Sequence, residues 1–566
     1  MEYRPLPIGI DNFQEIIELG CYYVDKTLLI KNLLDTTTKV TLFTRPRRFG
    51  KSLNLSMLQS FFECSATHSR EDAEQLFQGL NIASAGENYT KHMGQYPMIV
   101  LDFKEAKQGT FQESYDMLIQ NIAREFARHE DQVMESQIKA KELEVYQAIR
   151  NRDASKDNYL DSIRFLCECL EKTHSKKAIL LIDEYDVPLE NAYFRGFYQE
   201  MVDFIRGLLS GALKTNTSLG FAVMTGCLRV SKESIFTGLN NLEIISIENK
   251  QYGEYFGFTQ VEVEAMLVHY GKEQHREQVR EWYNGYLFGD VQVYNPWSLI
   301  NHMKQIVVED TEVPKPYWSN TSSNSIVREL IERADEVVRE ELEVLLSGGT
   351  IEQEIQEDIT YEDVYRNRGN LWNFLYFTGY LKKIQERFDM DTVYATLQIP
   401  NREVRYIYRN HIMEWTQERM EQEDLANLYE ATLSGNELEM EAEIDRILQD
   451  SISYYDGNST RQGEAFYHGI MAGLYQGMKG YLPQSNRESG NGRPDLILKY
   501  VNHKGKACIL EFKVATDVHH LEAAATSALA QMKEKDYRQG LRAEGYEDII
   551  QYGIGFYKKS CIVKKM

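Results

Sequence analysis

The sequence predicts an α/β chain: a parallel sheet carrying a helical lid and a winged-helix-like region, followed by a smaller α/β module. Three observations predict it. Thr41-Leu-Phe-Thr44 is a strand-like stretch that runs into the loop Arg45-Pro-Arg-Arg-Phe-Gly-Lys-Ser52 and then into the helix-favouring Leu53-Asn-Leu-Ser-Met-Leu58. Ala178-Ile-Leu-Leu-Ile182 is an uninterrupted apolar run ending in Asp183-Glu184, as suits a central parallel strand buried on both faces. Asp495 and Glu511-Phe-Lys513 stand on two short strand-like runs joined by the turn Asn502-His-Lys-Gly505.

The loop is the first element to justify. Gly50-Lys51-Ser52 supplies what a P-loop needs. Backbone N–H groups and a helix N-terminus cradle phosphates, the lysine reaches their β and γ groups, and the hydroxyl ligates Mg²⁺. On this reading Arg48, Phe49, Gly50, Lys51, Ser52 and Leu53 surround a nucleotide. The pattern G-x-x-x-x-G-K-[ST] asks for glycine where the chain has Arg45. That side chain either adds charge near phosphate or packs elsewhere. Asp183, emerging at the carboxyl end of its strand, would hold the Mg²⁺ shared with Ser52. Glu184 would polarise the water that attacks the γ-phosphate. The two motifs together predict a P-loop NTPase sheet using ATP and Mg²⁺.

Further strands fall at Tyr96–Phe103, Leu219–Thr225 and Leu242–Ile247, with a long polar helical segment over 108–176. Strands alternating with helices imply a parallel sheet. Thr225 ends the strand beside the acidic one, where a polar residue either senses γ-phosphate or merely finishes a strand. Arg229 and Lys232 follow, and either reaches phosphate, in its own or a neighbouring subunit, or faces solvent. Asp25 and Lys26 either face the nucleotide or form a local ion pair. The expected divisions are an ATPase core over 1–248, a helical lid over 249–320, a winged-helix-like region over 321–410, a helical linker over 411–455 and the second module over 456–566.

Composition narrows the class. The chain has 566 residues, 43% hydrophobic and 26% charged, and no apolar run long enough to span a membrane. Met1-Glu-Tyr-Arg-Pro-Leu-Pro lacks the apolar core of a signal peptide, so a cytoplasmic protein without a membrane partner is expected. Seven scattered cysteines suggest reduced thiols. A formal charge of −23 argues against coating nucleic acid with the whole surface. Residues 456–566 nevertheless hold 16 Lys+Arg against 12 Asp+Glu, a basic module suited to local phosphate contact.

That module carries the second constellation. Glu511 and Lys513 are two residues apart on one strand, so they share a face, and Asp495 on the neighbouring strand can join them. Asp495 and Glu511 would bind Mg²⁺, which clamps a scissile phosphate, while Lys513 orients the nucleophile or stabilises charge on phosphorus. Glu464, on a preceding helix, would complete the metal site. Gln531, on the following helix, would position phosphate or water.

Residues 1–300 resemble the bacterial AAA-ATPase-like family, whose members look like STAND and archaeal-type P-loop ATPases. The matching words are Tyr23-Val-Asp-Lys-Thr27, Arg45-Pro-Arg-Arg-Phe-Gly-Lys-Ser52, Leu181-Ile-Asp-Glu-Tyr-Asp186, Gly238-Leu-Asn-Asn-Leu242 and Tyr294-Asn-Pro-Trp-Ser298. Arg45 departs from the general P-loop motif but is similar to that family's own pattern. Ser485-Asn-Arg-Glu-Ser-Gly-Asn-Gly-Arg-Pro-Asp495 and Glu511-Phe-Lys513 resemble the PD-(D/E)XK nuclease superfamily and imply a restriction-endonuclease-like domain. The resemblance implies a bacterial ATPase coupled to a metal-dependent DNA nuclease, in defence or DNA processing, with homo-oligomer formation left open. The alternative is a STAND-like signalling or scaffold ATPase whose nuclease-like module only binds nucleic acid.

Overall fold

A computed structural model describes residues 3–65, 68–136, 138–229, 235–236, 239–309, 313–318, 327, 336–357, 361, 363–364, 367–420, 425–451, 464–485, 494–501, 505–557 and 559–566. Side chains at 336, 339, 343, 412–420, 449–451 and 464–466 lie outside that description. The chain forms two compact units, Met1–Trp318 with Gln353–Arg402, and Ser319–Glu352 with Glu403–Met566.

In the first unit, β1 (Val40–Thr44), β2 (Met98–Asp102), β3 (Ala178–Asp183), β4 (Leu219–Gly226) and β5 (Leu242–Ile245) form a parallel sheet of order β2-β3-β4-β1-β5. Every residue of β1 and β3 is buried, which explains their unbroken or nearly unbroken apolar character. β4 lies between β1 and β3, so the loop after β1 and the acids ending β3 are not on neighbouring strands. The register sets Phe43 beside Thr225 and Asp102 beside Asp183, bringing the carboxyl ends of β1 to β4 to one rim.

The edge strand β2 is covered rather than left open. The helix Phe111–Met134, started by a Thr110–Glu113 capping box, lays Glu125, Arg128 and His129 along it. Glu125 Oε1 accepts from Val100 N–H at 2.8 Å, while Arg128 Nη2 and His129 Nε2 lie 2.6 and 2.9 Å from the Met98 carbonyl. The polar segment after β2 forms three helices, Phe111–Met134, Ala140–Arg150 and Lys156–His174.

The region expected to be a helical lid is more mixed. Helices Gln260–His269, Arg276–Tyr283 and Pro296–Val308 surround a small antiparallel sheet of β6 (Phe258–Thr259), β7 (Tyr286–Phe288) and β8 (Val291–Tyr294). These strands are two to four residues long, too short to show alternation in the sequence. Further on, β9 (Ile351–Glu354) precedes the helix Arg368–Phe377 and the hairpin of β10 (Lys382–Asp389) and β11 (Thr392–Gln398). The helix Arg402–Met420 follows the hairpin. Among the described residues, no helix is long and apolar enough to cross a membrane, and all seven cysteines are free thiols.

The second unit holds a mixed sheet in the order β12 (Tyr481–Ser485), β13 (Leu496–Tyr500), β14 (Ala507–Val514), β15 (Ile549–Tyr557) and β16 (Ser560–Lys565). Only β14 and β15 run parallel. Alternation assigns the two faces. Cys508, Leu510 and Phe512 join a core with Tyr467, Ile470, Ile444 and Leu428. Ala507 and Ile509 join another with Met532, Tyr537 and Leu541, and the row continues to Glu511 and Lys513.

The helix Leu521–Lys535 lies directly on β15 because Gly553 and Gly555 present no side chain. A Cβ on either would sit 2.4 Å from a helix carbonyl, that of Ala525 or Leu521 respectively. Gly555→Val is therefore expected to destabilise this unit by roughly 1–3 kcal/mol through overpacking, read as a lowered denaturant midpoint. An unchanged midpoint would show that the helix can move off the strand.

Candidate functional site

The loop after β1 is bound by its own residues to the strand ends and to the aromatic segment that follows β5. Gly50, at φ +83°, caps the helix Lys51–Phe62, and Arg48 also has positive φ, +67°. Such turns direct successive backbone N–H groups toward one point. Arg48 is held there by stacking 4.1 Å over the Trp297 ring and donating to the Tyr317 carbonyl at 3.3 Å. Phe49 is fully buried edge-on against Tyr286, with ring centroids 4.8 Å apart. Leu53 follows in the first helical turn. Pro46 faces Gly379, where a Cβ would come within 3.0 Å of the proline ring.

Arg45 packs into the fold. Its backbone N–H donates to Gly226 O at 3.0 Å. Nη1 donates to the carbonyls of Thr44 and Ile245 at 2.9 and 2.8 Å. The guanidinium lies 5.1 Å from the ring centres of both Phe256 and Phe288. Burial alone draws its pKa down to about 9.

Lys51 is buried as well. Nζ donates to the carbonyls of Arg45 and Pro46, both at 3.1 Å, and lies 3.7 Å from Cys227 Sγ. Burial would favour the neutral amine, but Cys227, Glu184, Asp183 and Asp186 outweigh it and raise the lysine's pKa. No carboxylate among the described residues lies within ion-pair distance of Nζ, so a buried cation stands ready for an anionic ligand.

Opposite the lysine, Ser52 Oγ donates to Asp183 Oδ2 at 2.5 Å, and the Thr225 hydroxyl donates to Asp183 Oδ1. Burial raises the Asp183 carboxyl above its usual range against these two hydrogen bonds. Glu184 follows with φ +52°, a conformation rare for a side-chain-bearing residue, and its N–H donates back to Asp183 Oδ1 at 3.0 Å. A hydroxyl hydrogen-bonded to a carboxylate beside a buried lysine fits a phosphate and a hard divalent cation. Asp102 and Asp186 complete an acidic rim. Withdrawal from water, followed by charge from Asp183 and Glu184 on Asp102 and from Glu184 on Asp186, pushes each to about 6.

Other residues singled out by sequence have structural partners. Arg229 Nη1 pairs with Glu357 Oε2 at 3.6 Å. Lys26 Nζ pairs with Glu262 Oε1 at 2.6 Å and donates to the Glu254 carbonyl at 2.6 Å, while Asp25 accepts from Thr27 and Asn81. Lys26 is thus paired with a residue 236 positions along the chain and not with its neighbour Asp25. Lys232 lies outside the described residues. Sequence reading passed over Arg47–Glu190, a largely buried ion pair between the loop and the helix Val187–Arg195, and Asp186. The word Asp183-Glu-Tyr-Asp186 was the available signal for the latter.

In the second unit, antiparallel register sets Leu496 against Leu510, so Asp495 stands opposite Glu511. Glu511 is 1% exposed. Its Oε1 accepts from Gln531 Nε2 and lies 3.9 Å from Lys513 Nζ, and its Oε2 is 3.4 Å from Asp495 N. Asp495 Oδ2 accepts from Phe512 N–H at 2.8 Å, and Gln531 Nε2 also lies 3.3 Å from the Tyr537 hydroxyl. His468, missed in the sequence, places Nε2 2.7 Å from the Asp495 carbonyl and 2.8 Å from Ser485 Oγ.

The sequence therefore identified four residues that the fold gathers: Asp495, Glu511, Lys513 and Gln531. Glu464 begins the helix Glu464–Gln476, but its side chain is outside the described residues, as are 486–493. Among the described residues, no group of three or more His, Cys, Asp or Glu side chains assembles as a metal cage. Two adjacent carboxylates beside a lysine still suit an oxygen-seeking cation that keeps water ligands.

Comparison with known proteins agrees with both geometries. Residues 7–236 match the AAA-ATPase-like family described as "Predicted AAA-ATPase", and residues 462–566 match the PD-(D/E)XK nuclease superfamily. The chain thus carries an AAA-ATPase-like domain in its N-terminal part and a PD-(D/E)XK nuclease superfamily domain in its C-terminal part. A curated relative, "Uncharacterized protein in vnfD 5'region" of Azotobacter chroococcum mcd 1, is 26% identical over 572 residues, covering 99% of this chain and 98% of the relative.

Arg45→Gly, which restores the general loop motif, is expected to weaken the protein. It leaves a cavity between Phe256 and Phe288 and removes donors from two carbonyls, a loss of roughly 2–4 kcal/mol. Denaturant unfolding of the variant checks this, and equal stability would mean that the guanidinium holds nothing together.

Proposed function

We propose that this protein is an ATP-hydrolysing, Mg²⁺-dependent DNA endonuclease in which the ATPase unit governs cleavage. The observation that carries the nuclease half is Glu511, buried on a strand yet gathered with Asp495, Lys513 and Gln531. A carboxylate so withdrawn from water is costly unless it serves a cation or a reacting group. The basic excess of residues 456–566 supports contact with nucleic acid.

On the ATPase side, Lys51 neutralises charge on the β- and γ-phosphates, and Ser52 with Asp183 holds Mg²⁺. Thr225 fixes the rotamer of Asp183 and so the spacing between acid and phosphate. Glu184 orients the attacking water and accepts its proton. Arg48, Phe49, Gly50 and Leu53 shape the cradle, and Arg229 leaves Glu357 to meet phosphate.

On the nuclease side, Asp495 and Glu511 hold Mg²⁺, with Glu464 as a third carboxylate. When bound, the ion supplies Lewis acidity and lowers the pKa of its water. Lys513 orients the nucleophile and offsets charge on the pentavalent phosphorus, while Gln531 fixes the Glu511 carboxylate. The reading extends to a cytoplasmic bacterial protein that forms homo-oligomers and acts in defence or DNA processing.

The purified chain, given plasmid, linear and single-stranded DNA with Mg²⁺ or EDTA and with or without ATP, tests it. Lys513→Ala is expected to lower cleavage by roughly a hundredfold or more while ATP turnover persists. Glu184→Gln is expected to retain ATP binding and lose turnover. DNA that is bound but not cut with Mg²⁺ or Mn²⁺ would replace this reading with the scaffold ATPase.

A further inference from the structure

Pairing between β3 and β4 ends at Ile182 opposite Met224. Beyond that point the Thr225 hydroxyl bonds Asp183 directly, and further bonds tie the chain after β3 to the end of β4. Tyr185 and Asp186 supply them. Tyr185 N–H donates to the Thr225 carbonyl at 3.1 Å, and its hydroxyl donates to the Leu228 carbonyl at 2.6 Å. Asp186 Oδ2 accepts from the N–H groups of Cys227 and Leu228 at 2.8 and 3.0 Å.

The turn is held so closely that Gly226 has no room for a side chain. A Cβ there would lie 2.5 Å from the Tyr185 ring and 2.8 Å from Asp186 Oδ1. From the other side, Arg45 N–H donates to the Gly226 carbonyl at 3.0 Å. The same turn carries Cys227, 3.7 Å from Lys51 Nζ. Phosphate loop, acidic strand and β4 thus meet at three residues.

We propose that Asp186, assisted by Tyr185, is a positioning residue for ATP hydrolysis: it clasps the turn Gly226-Cys227-Leu228 and so sets Thr225 against Asp183 and Cys227 against Lys51. The proposal rests on the ATPase reading above. A neutral acceptor would hold two amides with less desolvation. Asp186 is instead an acid, 1% exposed, whose Oδ2 takes both amides while Oδ1 has no hydrogen-bond partner among the described residues.

The test uses the full chain with Asp186→Ala, Asp186→Asn and Tyr185→Phe. Amide hydrogen exchange at Cys227 and Leu228 should quicken about tenfold or more in Asp186→Ala, because their acceptor is gone. Asp186→Asn, which keeps an oxygen in place, should retain most of the protection. For ATP hydrolysis, Asp186→Ala should lower kcat by roughly ten- to a hundredfold with KM within about threefold. Asp186→Asn should recover most of that loss, and Tyr185→Phe should show a smaller loss in kcat. Wild-type exchange at these two amides in Asp186→Ala would overturn the proposal, as would unchanged kcat. An Asp186→Asn variant as impaired as Asp186→Ala would overturn it too, by assigning the whole effect to charge. If Asp186→Ala does not fold, the other two variants decide by the same exchange and kcat readings. A wild-type chain without ATP turnover would sink the proposed function, while exchange would still decide whether Asp186 holds the turn.

Discussion

A turn whose backbone N–H groups are to meet a ligand must be held open by other groups. In this protein that constraint falls on Arg45. Its backbone N–H reaches the end of β4, its guanidinium reaches β1 and β5, and two phenylalanine rings from the following segment close over it. Lys51 then rests on the Arg45 carbonyl. The loop's geometry is thus supported by a buried cation with no carboxylate beside it among the described residues, stabilised by carbonyl dipoles and ring faces.

Both units apply one physical device to their acids. Each withdraws a carboxylate from water at a strand and holds it with neutral donors. Ser52 and Thr225 hold Asp183, and Gln531 holds Glu511. Low local dielectric strengthens these bonds and also makes the charge hungry for a cation. Close packing makes this feasible: glycines at 553 and 555 let a helix lie flat enough on β15 for Gln531 to reach across.

The strands of the first sheet were legible as short runs rich in apolar and β-branched residues, most clearly β3, which is apolar until Asp183 and buried along its whole length. Glu511 and Lys513 were legible because period-two alternation assigns a face without knowledge of the fold, Asp495 because it leads into the neighbouring strand, and Gln531 from its place on the helix that follows. The strands β6, β7 and β8 were not, since elements of two to four residues leave no period to read. Lys26 shows a different limit. Its partner Glu262 is 236 residues away, and no local pattern announces a pair of that kind.

By itself the sequence determined which chemical groups exist and which runs must be buried. Gly50-Lys51-Ser52, Asp183-Glu184 and Glu511-x-Lys513 carry their chemistry in spacing alone, because a turn, a strand end and a strand face are local facts. Tertiary structure decided everything that depends on strand order. It put β4 between β1 and β3, with Thr225 beside the acidic strand as its place in the sequence suggested, and made the turn after β4 the junction to which Asp186 bonds. It also settled Arg45, for which the sequence allowed either phosphate or the interior. The side chain lies where carbonyls and aromatic rings converge from residues about 200 positions away, and only the folded chain brings those together.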